Sequence, residues 1–200
     1  MIVTKVEEWK SKKYRIYIDD EFTFTLYSKE LHQFHIRKGV VISQDIVFHI
    51  LDTVIYKRAK ERALFLLERK PLSINMMRMK LQENGYSPYI IDRVISFLEI
   101  YHYLDDEEYT RMYIHTYSCK KSKKQLKKDL LYKGISRDVI DTYFENNIYS
   151  EQDCFEKQFQ KYIKGKNLEN YSDRQKIFRY IYSKGFSVSL IEKYMKTLQE

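Results

Sequence analysis

A dense run of lysines near the middle of the chain is the part of this 200-residue sequence best suited to binding chemistry. Six of the ten residues 119–128 are lysines, and a helix starting near Ser122 would turn Leu126 and Leu130 inward. Clustered ammonium groups can neutralise phosphates or dock on an acidic protein surface, whereas the alternative is an ordinary solvated helix face. The candidate binding residues are Lys120, Lys121, Lys123, Lys124, Lys127 and Lys128; of these, Lys123, Lys124, Lys127 and Lys128 are expected to face solvent.

The other polar residues do not suggest a catalytic or metal site. His32 and His35 lie three apart, but no cysteine or carboxylate cluster nearby offers further ligands. Cys119 and Cys154 form no CxxC pair, which favours a reduced, cytoplasmic protein. The acidic run 105–108 fits the start of a helix, where the helix dipole stabilises carboxylates. Because a phosphate-binding GxxxxGK[ST] loop is also missing, we predict a protein that is not an enzyme and has no catalytic residues, cofactor or metal.

Composition and charge favour a helical protein with a basic half. Glycine and proline total seven, fewer than an all-β fold or long linkers would need. The net charge of +8 lies wholly in residues 55–200, because residues 1–54 carry eight basic and eight acidic side chains. The sequence contains no apolar run of about 18 residues and no signal-peptide pattern at its start. We therefore expect no membrane partner.

The first fifty residues are predicted to form a small β-rich module. Residues 14–18 and 22–26 alternate apolar and polar side chains around the polar turn 19–21, which is typical of a β-hairpin. Residues 2–9 can supply a third strand. Ser28 is a candidate N-cap for a short helix, and Ser43 for a longer one through Ile46, Ile50 and Ile55.

The remaining sequence repeats with a period of about 50 residues. Its anchor is a glycine, one hydrophobic residue and a serine, and the three glycines are 49 and 51 residues apart. A glycine in the left-handed conformation ends one helix, the hydrophobic residue folds back onto it, and the serine caps the next helix. The three anchors are Gly85-Tyr86-Ser87, Gly134-Ile135-Ser136 and Gly185-Phe186-Ser187.

Each anchor is expected to join the second and third helices of a three-helix repeat. One such unit buries too little apolar surface to be stable alone, so neighbouring repeats must stack on one another. The predicted fold is mainly α, with tandem three-helix repeats in an elongated curved array and a small N-terminal β-hairpin or three-stranded module. The predicted domains are 1–50 for the β-rich module, then 51–101, 102–149 and 150–200 for repeats 1 to 3.

Three segments resemble the RecX family. Residues 103–109 resemble its Leu-Asp-Asp-x-x-aromatic signature, and residues 123–134 are similar to its basic helix ending in Leu-x-x-Lys-Gly. The N-terminal strands, with Asp19, Glu21 and Phe22 in the turn, resemble an extension of Gram-positive members. Two features depart from the family: Thr110 replaces the usual alanine after the signature aromatic, and the first and third repeats lack the full acidic signature.

The resemblance implies a regulator of the recombinase RecA in DNA repair and the SOS response. Members bind in the groove of the RecA–DNA filament and mostly inhibit recombination, ATP hydrolysis and coprotease activity. The expected partners are the RecA filament and, weakly, single- or double-stranded DNA, and the protein is expected to be a monomer. One alternative is a free-standing nucleic-acid-binding helical-repeat protein. A scaffold of tetratricopeptide type is disfavoured by the period, which is about 50 residues instead of 34.

Overall fold

The computed structural model of the protein describes residues 1–166 and 169–197. The chain divides into two compact units, Met1–Asp105 and Asp106–Glu200. The predicted third repeat, 150–200, includes residues 167–168 and 198–200, which lie outside the described part. The first unit contains β1 (Val3–Lys10), β2 (Lys13–Ile18), β3 (Glu21–Tyr27), α1 (Ser28–Gln33), α2 (Gln44–Ile50), a π-helical segment (Leu51–Tyr56), α3 (Lys57–Arg69), α4 (Ile74–Glu83) and α5 (Pro88–Ile100). The second contains α6 (Asp106–Tyr117), α7 (Lys123–Tyr132), α8 (Arg137–Asn146), α9 (Glu151–Ile163), α10 (Tyr171–Ser183) and α11 (Val188–Thr197).

The three strands form one antiparallel sheet in the order β1-β2-β3, which confirms the predicted hairpin and third strand. The turn between β2 and β3 consists of Asp19 and Asp20, whose φ angles are +48° and +69°. Two successive left-handed residues give a two-residue turn whose twist matches that of the flanking strands. The apolar side chains on the inner face of the sheet are buried: Val3, Ile16, Ile18, Phe24 and Leu26.

The first two helices after the sheet have Tyr27 and Ser43 as their N-cap residues. The hydroxyl of Ser43 accepts a hydrogen bond from the Ile46 N–H at 3.4 Å, so the predicted cap of the long helix is confirmed. From there α2, the π-helical segment and α3 follow one another without a break as far as Arg69. The prediction that Ser28 caps α1 is wrong, because the cap is Tyr27, whose backbone N–H donates to Glu30 Oε2 at 2.7 Å.

All three predicted glycine corners are present. The φ angles of Gly85, Gly134 and Gly185 are +81°, +83° and +89°, so each glycine ends a helix in the left-handed region. Each glycine N–H donates to a carbonyl three residues earlier, at 2.8, 2.9 and 2.8 Å respectively. The hydrophobic residue after each glycine is buried; these residues are Tyr86, Ile135 and Phe186.

The serine of the corner makes a capping hydrogen bond in two of the three copies. The hydroxyls of Ser136 and Ser187 each accept a hydrogen bond, at 3.3 Å, from the N–H three residues later. Ser87 is the N-cap residue of α5, as predicted, but its hydroxyl makes no capping hydrogen bond. Pro88 occupies the first helical position there, where its fixed φ already suits the start of a helix.

The N-terminal sheet packs directly on the first corner. The Lys13 Nζ donates to the Asn84 carbonyl at 2.6 Å, and the Thr25 hydroxyl lies 3.3 Å from the Gly85 carbonyl. The Trp9 ring lies so close to Gly85 that a Cβ on this residue would overlap it. The β-rich module therefore caps the carboxyl end of α4, whose last carbonyls lack helical partners.

In the second unit, the apolar faces of α9, α10 and α11 form a core of their own. The buried residues are Cys154, Phe155, Phe159, Ile177, Ile181, Phe186, Ile191 and Met195. In α6, Tyr109, Thr110 and Ile114 are buried, whereas Met112 is exposed. The inner face of α6 is therefore centred on the pair Thr110 and Ile114, which lie one turn apart.

Candidate nucleic-acid interface

The six candidate lysines lie on the loop 118–121 and on α7. Ser122 caps α7, because its hydroxyl accepts the Gln125 N–H at 3.1 Å. Leu126 and Leu130 have no exposed surface, which confirms the predicted inner face. With these two leucines fixed inward, residues at positions 124 and 128 point away from the core. The helix therefore presents some of its lysines to solvent and turns others toward neighbouring helices.

Lys121 is committed to contacts within the protein. Its Nζ donates to Asp129 Oδ2 at 2.6 Å and to the Tyr113 hydroxyl at 3.1 Å, and it lies 4.7 Å from the centre of the Tyr117 ring. Burial opposes ionisation of the Asp129 carboxyl, but hydrogen bonds from Lys121 and Gln125 outweigh it and lower the pKa of Asp129. Lys121 thus holds the loop against α6 and α7, and its charge is largely neutralised.

Lys123 and Lys127 are half-buried against α8. Lys127 forms an ion pair with Asp141, and the hydrogen bond from Lys127 lowers the pKa of that carboxyl. The ammonium groups of Lys123 and Lys127 lie 4.8 and 5.4 Å from the centre of the Phe144 ring. The expectation that both lysines face solvent is therefore wrong, since Asp141 and Phe144 provide a partner for each.

The remaining three candidates, Lys120, Lys124 and Lys128, are exposed. Lys124 and Lys128 lie one turn apart on α7, and Tyr132 follows one further turn along with 92% of its surface exposed. We call Lys124, Lys128 and Tyr132 the exposed stripe of α7. Its ammonium groups can contact phosphates and its phenol ring can stack on a base. Tyr132 was missed by the sequence reasoning, although its spacing of four residues from Lys128 was visible.

The histidines, cysteines and carboxylates outside the lysine cluster do not form a metal site in the described residues. Across residues 1–166 and 169–197, no group of three or more histidine, cysteine or carboxylate side chains is placed to hold a metal ion. The carboxylates of Asp106, Glu107 and Glu108 lie in the first turn of α6, where the helix dipole stabilises them. In the same described residues, no helix is both long and apolar enough to cross a membrane.

Two parts of the chain match family models. Residues 59–98 match the model described as "RecX, first three-helix domain", and residues 105–143 match "RecX, second three-helix domain". The first match begins within α3 and ends within α5, and the second runs from the residue before α6 into α8. Each match therefore spans one of the glycine corners together with its flanking helices.

Curated relatives and solved structures agree with these matches over nearly the whole chain. The "Regulatory protein RecX" of Clostridium acetobutylicum is 31% identical, covering 98% of this chain and 95% of the relative. The protein of the same description from Clostridioides difficile is 30% identical, with the same coverage. A structure titled "Crystal structure of regulatory protein RecX" superposes with a TM-score of 0.58 at 22% identity, over 96% of this chain and 97% of that chain. This last likeness concerns the fold.

Proposed function

The chain belongs to the RecX family of regulatory proteins, and we propose that it regulates RecA by binding along the RecA–DNA filament. Binding is proposed to lower strand exchange, ATP hydrolysis and coprotease activity in DNA repair and the SOS response. The protein would act as a cytoplasmic monomer without a cofactor. We propose that the β-rich module 1–50 is followed along the chain by three helical repeats, 51–101, 102–149 and 150–200.

The observation that supports the proposed site is that three of the six lysines have partners within the protein and the other three are exposed. Lys121 and Lys127 are ion-paired and Lys123 lies over Phe144, whereas Lys120, Lys124 and Lys128 are exposed. We assign the direct contacts with phosphates or acidic filament surfaces to the exposed three. Long-range attraction between these ammonium groups and a polyanion would also raise the association rate. Lys121, Lys123 and Lys127 would keep the loop and α7 in position.

The test is the ATPase activity of RecA on single-stranded DNA, titrated with this protein. The wild-type protein is expected to inhibit at concentrations below those at which it binds bare DNA. The triple variant Lys120→Glu, Lys124→Glu, Lys128→Glu should lose at least tenfold in inhibitory potency while keeping the wild-type helicity and melting temperature. A matched control is Lys29→Glu, Arg37→Glu, Lys38→Glu, which reverses three exposed charges in the β-rich module and should inhibit normally.

The same exposed stripe favours the second candidate, a protein that binds nucleic acid without RecA. The two functions differ in which partner the protein binds more tightly, the RecA–DNA filament or bare DNA. If the wild-type protein binds bare single-stranded DNA tightly and leaves the RecA ATPase unchanged at saturation, the filament proposal is rejected in favour of the second candidate. Equal inhibition by the triple variant and its control would instead reject the assignment of the site to Lys120, Lys124 and Lys128.

A further inference from the structure

The two cysteines of the chain, 35 residues apart in the sequence, meet in the second unit. Cys119 is exposed in the loop 118–121, and Cys154 is 6% exposed in α9. Their Sγ atoms lie 3.9 Å apart, with the Cys154 thiol directed at the Cys119 sulfur. The two thiols are therefore in contact although neither was selected by a sequence motif.

The backbone around Cys119 is held in place beside α9. The Tyr149 hydroxyl lies 3.0 Å from the Ser118 carbonyl and 2.7 Å from the Lys121 carbonyl. The Gln158 side-chain amide donates to the carbonyl of Cys119 itself. These three contacts to carbonyls of the loop hold the backbone of Cys119 beside α9.

We propose that Cys119 and Cys154 form a reversible intramolecular disulfide when the protein meets a hydroperoxide. A disulfide needs an S–S distance of about 2.0 Å, so the sulfurs must approach by roughly half of their present separation. Rotation about the two Cα–Cβ bonds is the movement that we propose closes this gap. The proposal concerns the chemistry of this chain and does not depend on RecA binding.

The reaction consumes one hydroperoxide for each disulfide. The Cys119 thiol loses its proton, its thiolate attacks the peroxide oxygen, and the O–O bond breaks. The leaving oxygen takes up a proton equivalent to the one that the thiol released and departs as water or an alcohol, which leaves a sulfenic acid on Cys119. The sulfur of Cys154 then attacks the sulfur of Cys119; the S–S bond forms and the hydroxyl leaves with the thiol proton as water. A dithiol reductant reverses the change by exchange, returning both thiols and becoming oxidised itself.

The positions of the two sulfurs set the order of these steps. Cys119 is the sulfur that an oxidant in solution can reach, whereas Cys154 lies against the core of α9 to α11. Burial raises the pKa of the Cys154 thiol to about 11, so this cysteine remains protonated at neutral pH until its partner has been oxidised. Cys119 is therefore the residue attacked first and Cys154 the residue that resolves the intermediate.

The test uses the full-length protein and hydrogen peroxide in slight molar excess. After thiol alkylation and digestion with trypsin under non-reducing conditions, we expect peptide 112–120 joined to peptide 138–157, and two fewer titratable thiols per chain. The link should disappear on treatment with dithiothreitol. The oxidised protein should also melt at a higher temperature than the reduced protein, since the cross-link restricts the unfolded chain.

Single variants separate the two roles. Cys154→Ala should accumulate a sulfenic acid on Cys119 that dimedone traps, whereas Cys119→Ser should give neither the trapped adduct nor the linked peptides. Because Cys154 is buried and its variant can misfold, Cys119→Ser serves as the folded control. The proposal is overturned if wild-type Cys119 proceeds to sulfinic acid with Cys154 unmodified, if both thiols stay titratable, or if only disulfides between two chains form.

Discussion

The backbone N–H of Ser122 donates a hydrogen bond to the carbonyl oxygen of Lys184 at 3.0 Å. Lys184 is the C-cap of α10, so its carbonyl is one of those that the helix leaves without a partner. The residue that starts α7 therefore also closes the corner that follows α10. A Cβ placed on the neighbouring Gly185 would lie 2.6 Å from the Ser122 hydroxyl oxygen and 2.8 Å from the Cβ of Gln125. This corner needs glycine for its backbone conformation and for the close approach of α7.

Replacement of Gly185 by alanine should destabilise the protein more than replacement of Gly165. Both glycines have positive φ, +89° and +75°. An alanine in this left-handed conformation is strained, so the free energy of unfolding should fall by roughly 1 kcal/mol in both variants. Counting the described part of the chain, of these two glycines only Gly185 has neighbours within 4 Å of the added carbon, and relieving that overlap should cost about a further 1–3 kcal/mol. Urea unfolding of the two variants measures the difference. Equal losses would show that α7 does not approach the corner this closely.

The corners could be predicted from the sequence, because their determinants lie within four consecutive residues and recur three times. What covers each corner could not be predicted. Trp9 and Ser122 are 76 and 63 residues from the glycines that they approach, and no local pattern relates them. The N-cap at Tyr27 was missed for a different, local reason: the carboxylate of Glu30 accepts the Tyr27 N–H, so the cap residue needs no polar side chain of the usual type.

Lys13 should make the stability of the protein rise with pH in the alkaline range. Burial, followed by the charges of Arg58 and Lys10, lowers its pKa from 10.5 to about 8, against a smaller opposing effect of Glu30. Between these two values the unfolded chain binds a proton that the folded chain has released, so the free energy of unfolding increases with pH. The Lys13→Met variant keeps an apolar side chain of similar length but has no ionisable group at this position.

The measurement compares urea unfolding of wild type and Lys13→Met from about pH 7 to about pH 10.5. The wild type should gain up to about 3 kcal/mol relative to the variant over this range. Other groups that titrate there, such as Tyr86, whose pKa burial raises to about 12, are present in both proteins and cancel. Parallel pH profiles for the two proteins would contradict the prediction.

Thr110, at the position where the RecX resemblance leads us to expect alanine, is predicted to lower the stability of the protein. It has no exposed surface, and its Oγ1 is one of the buried side-chain atoms in the described residues that lack a hydrogen-bond partner. Thr110→Val replaces the hydroxyl by a methyl group of similar size and should raise the free energy of unfolding by about 1 kcal/mol. Thr110→Ala should raise the free energy of unfolding by less, because it also removes a buried methyl group. A thermal melt in which the valine variant is less stable than wild type would reject this account.

The lysine cluster shows where sequence reasoning about a site reaches its limit. The density of lysines and the inward leucines could be predicted from spacing alone. The partners of individual lysines could not, because Asp141 and Phe144 come from α8, which packing brings against α7. Asp129 is in α7 itself, and it meets Lys121 only because the loop before the helix folds back toward it. The exposed stripe is consequently narrower than the sequence indicated, and it ends in a tyrosine.

The contributions of charge and of stacking to DNA binding by the exposed stripe should differ in how they depend on salt concentration. Each phosphate contact on single-stranded DNA contributes about 0.7 to the slope of log affinity against log salt concentration. Lys124→Ala, Lys128→Ala should therefore reduce the slope by up to about 1.4, whereas the matched pair Lys29→Ala, Lys38→Ala in the β-rich module should leave it unchanged. Tyr132→Ala should weaken binding by roughly 1–3 kcal/mol with the slope preserved, because stacking releases no counterions.

Fluorescence anisotropy of a labelled oligothymidylate at four or five salt concentrations gives both quantities for every variant. A slope that falls equally in the two lysine pairs would mean that the net charge of the protein, and not the stripe, attracts the DNA. A Tyr132 variant with wild-type affinity would confine the interface to phosphate contacts. If the Lys124 and Lys128 variants keep the wild-type slope while their helicity is unchanged, the assignment of these two residues to nucleic-acid binding is wrong.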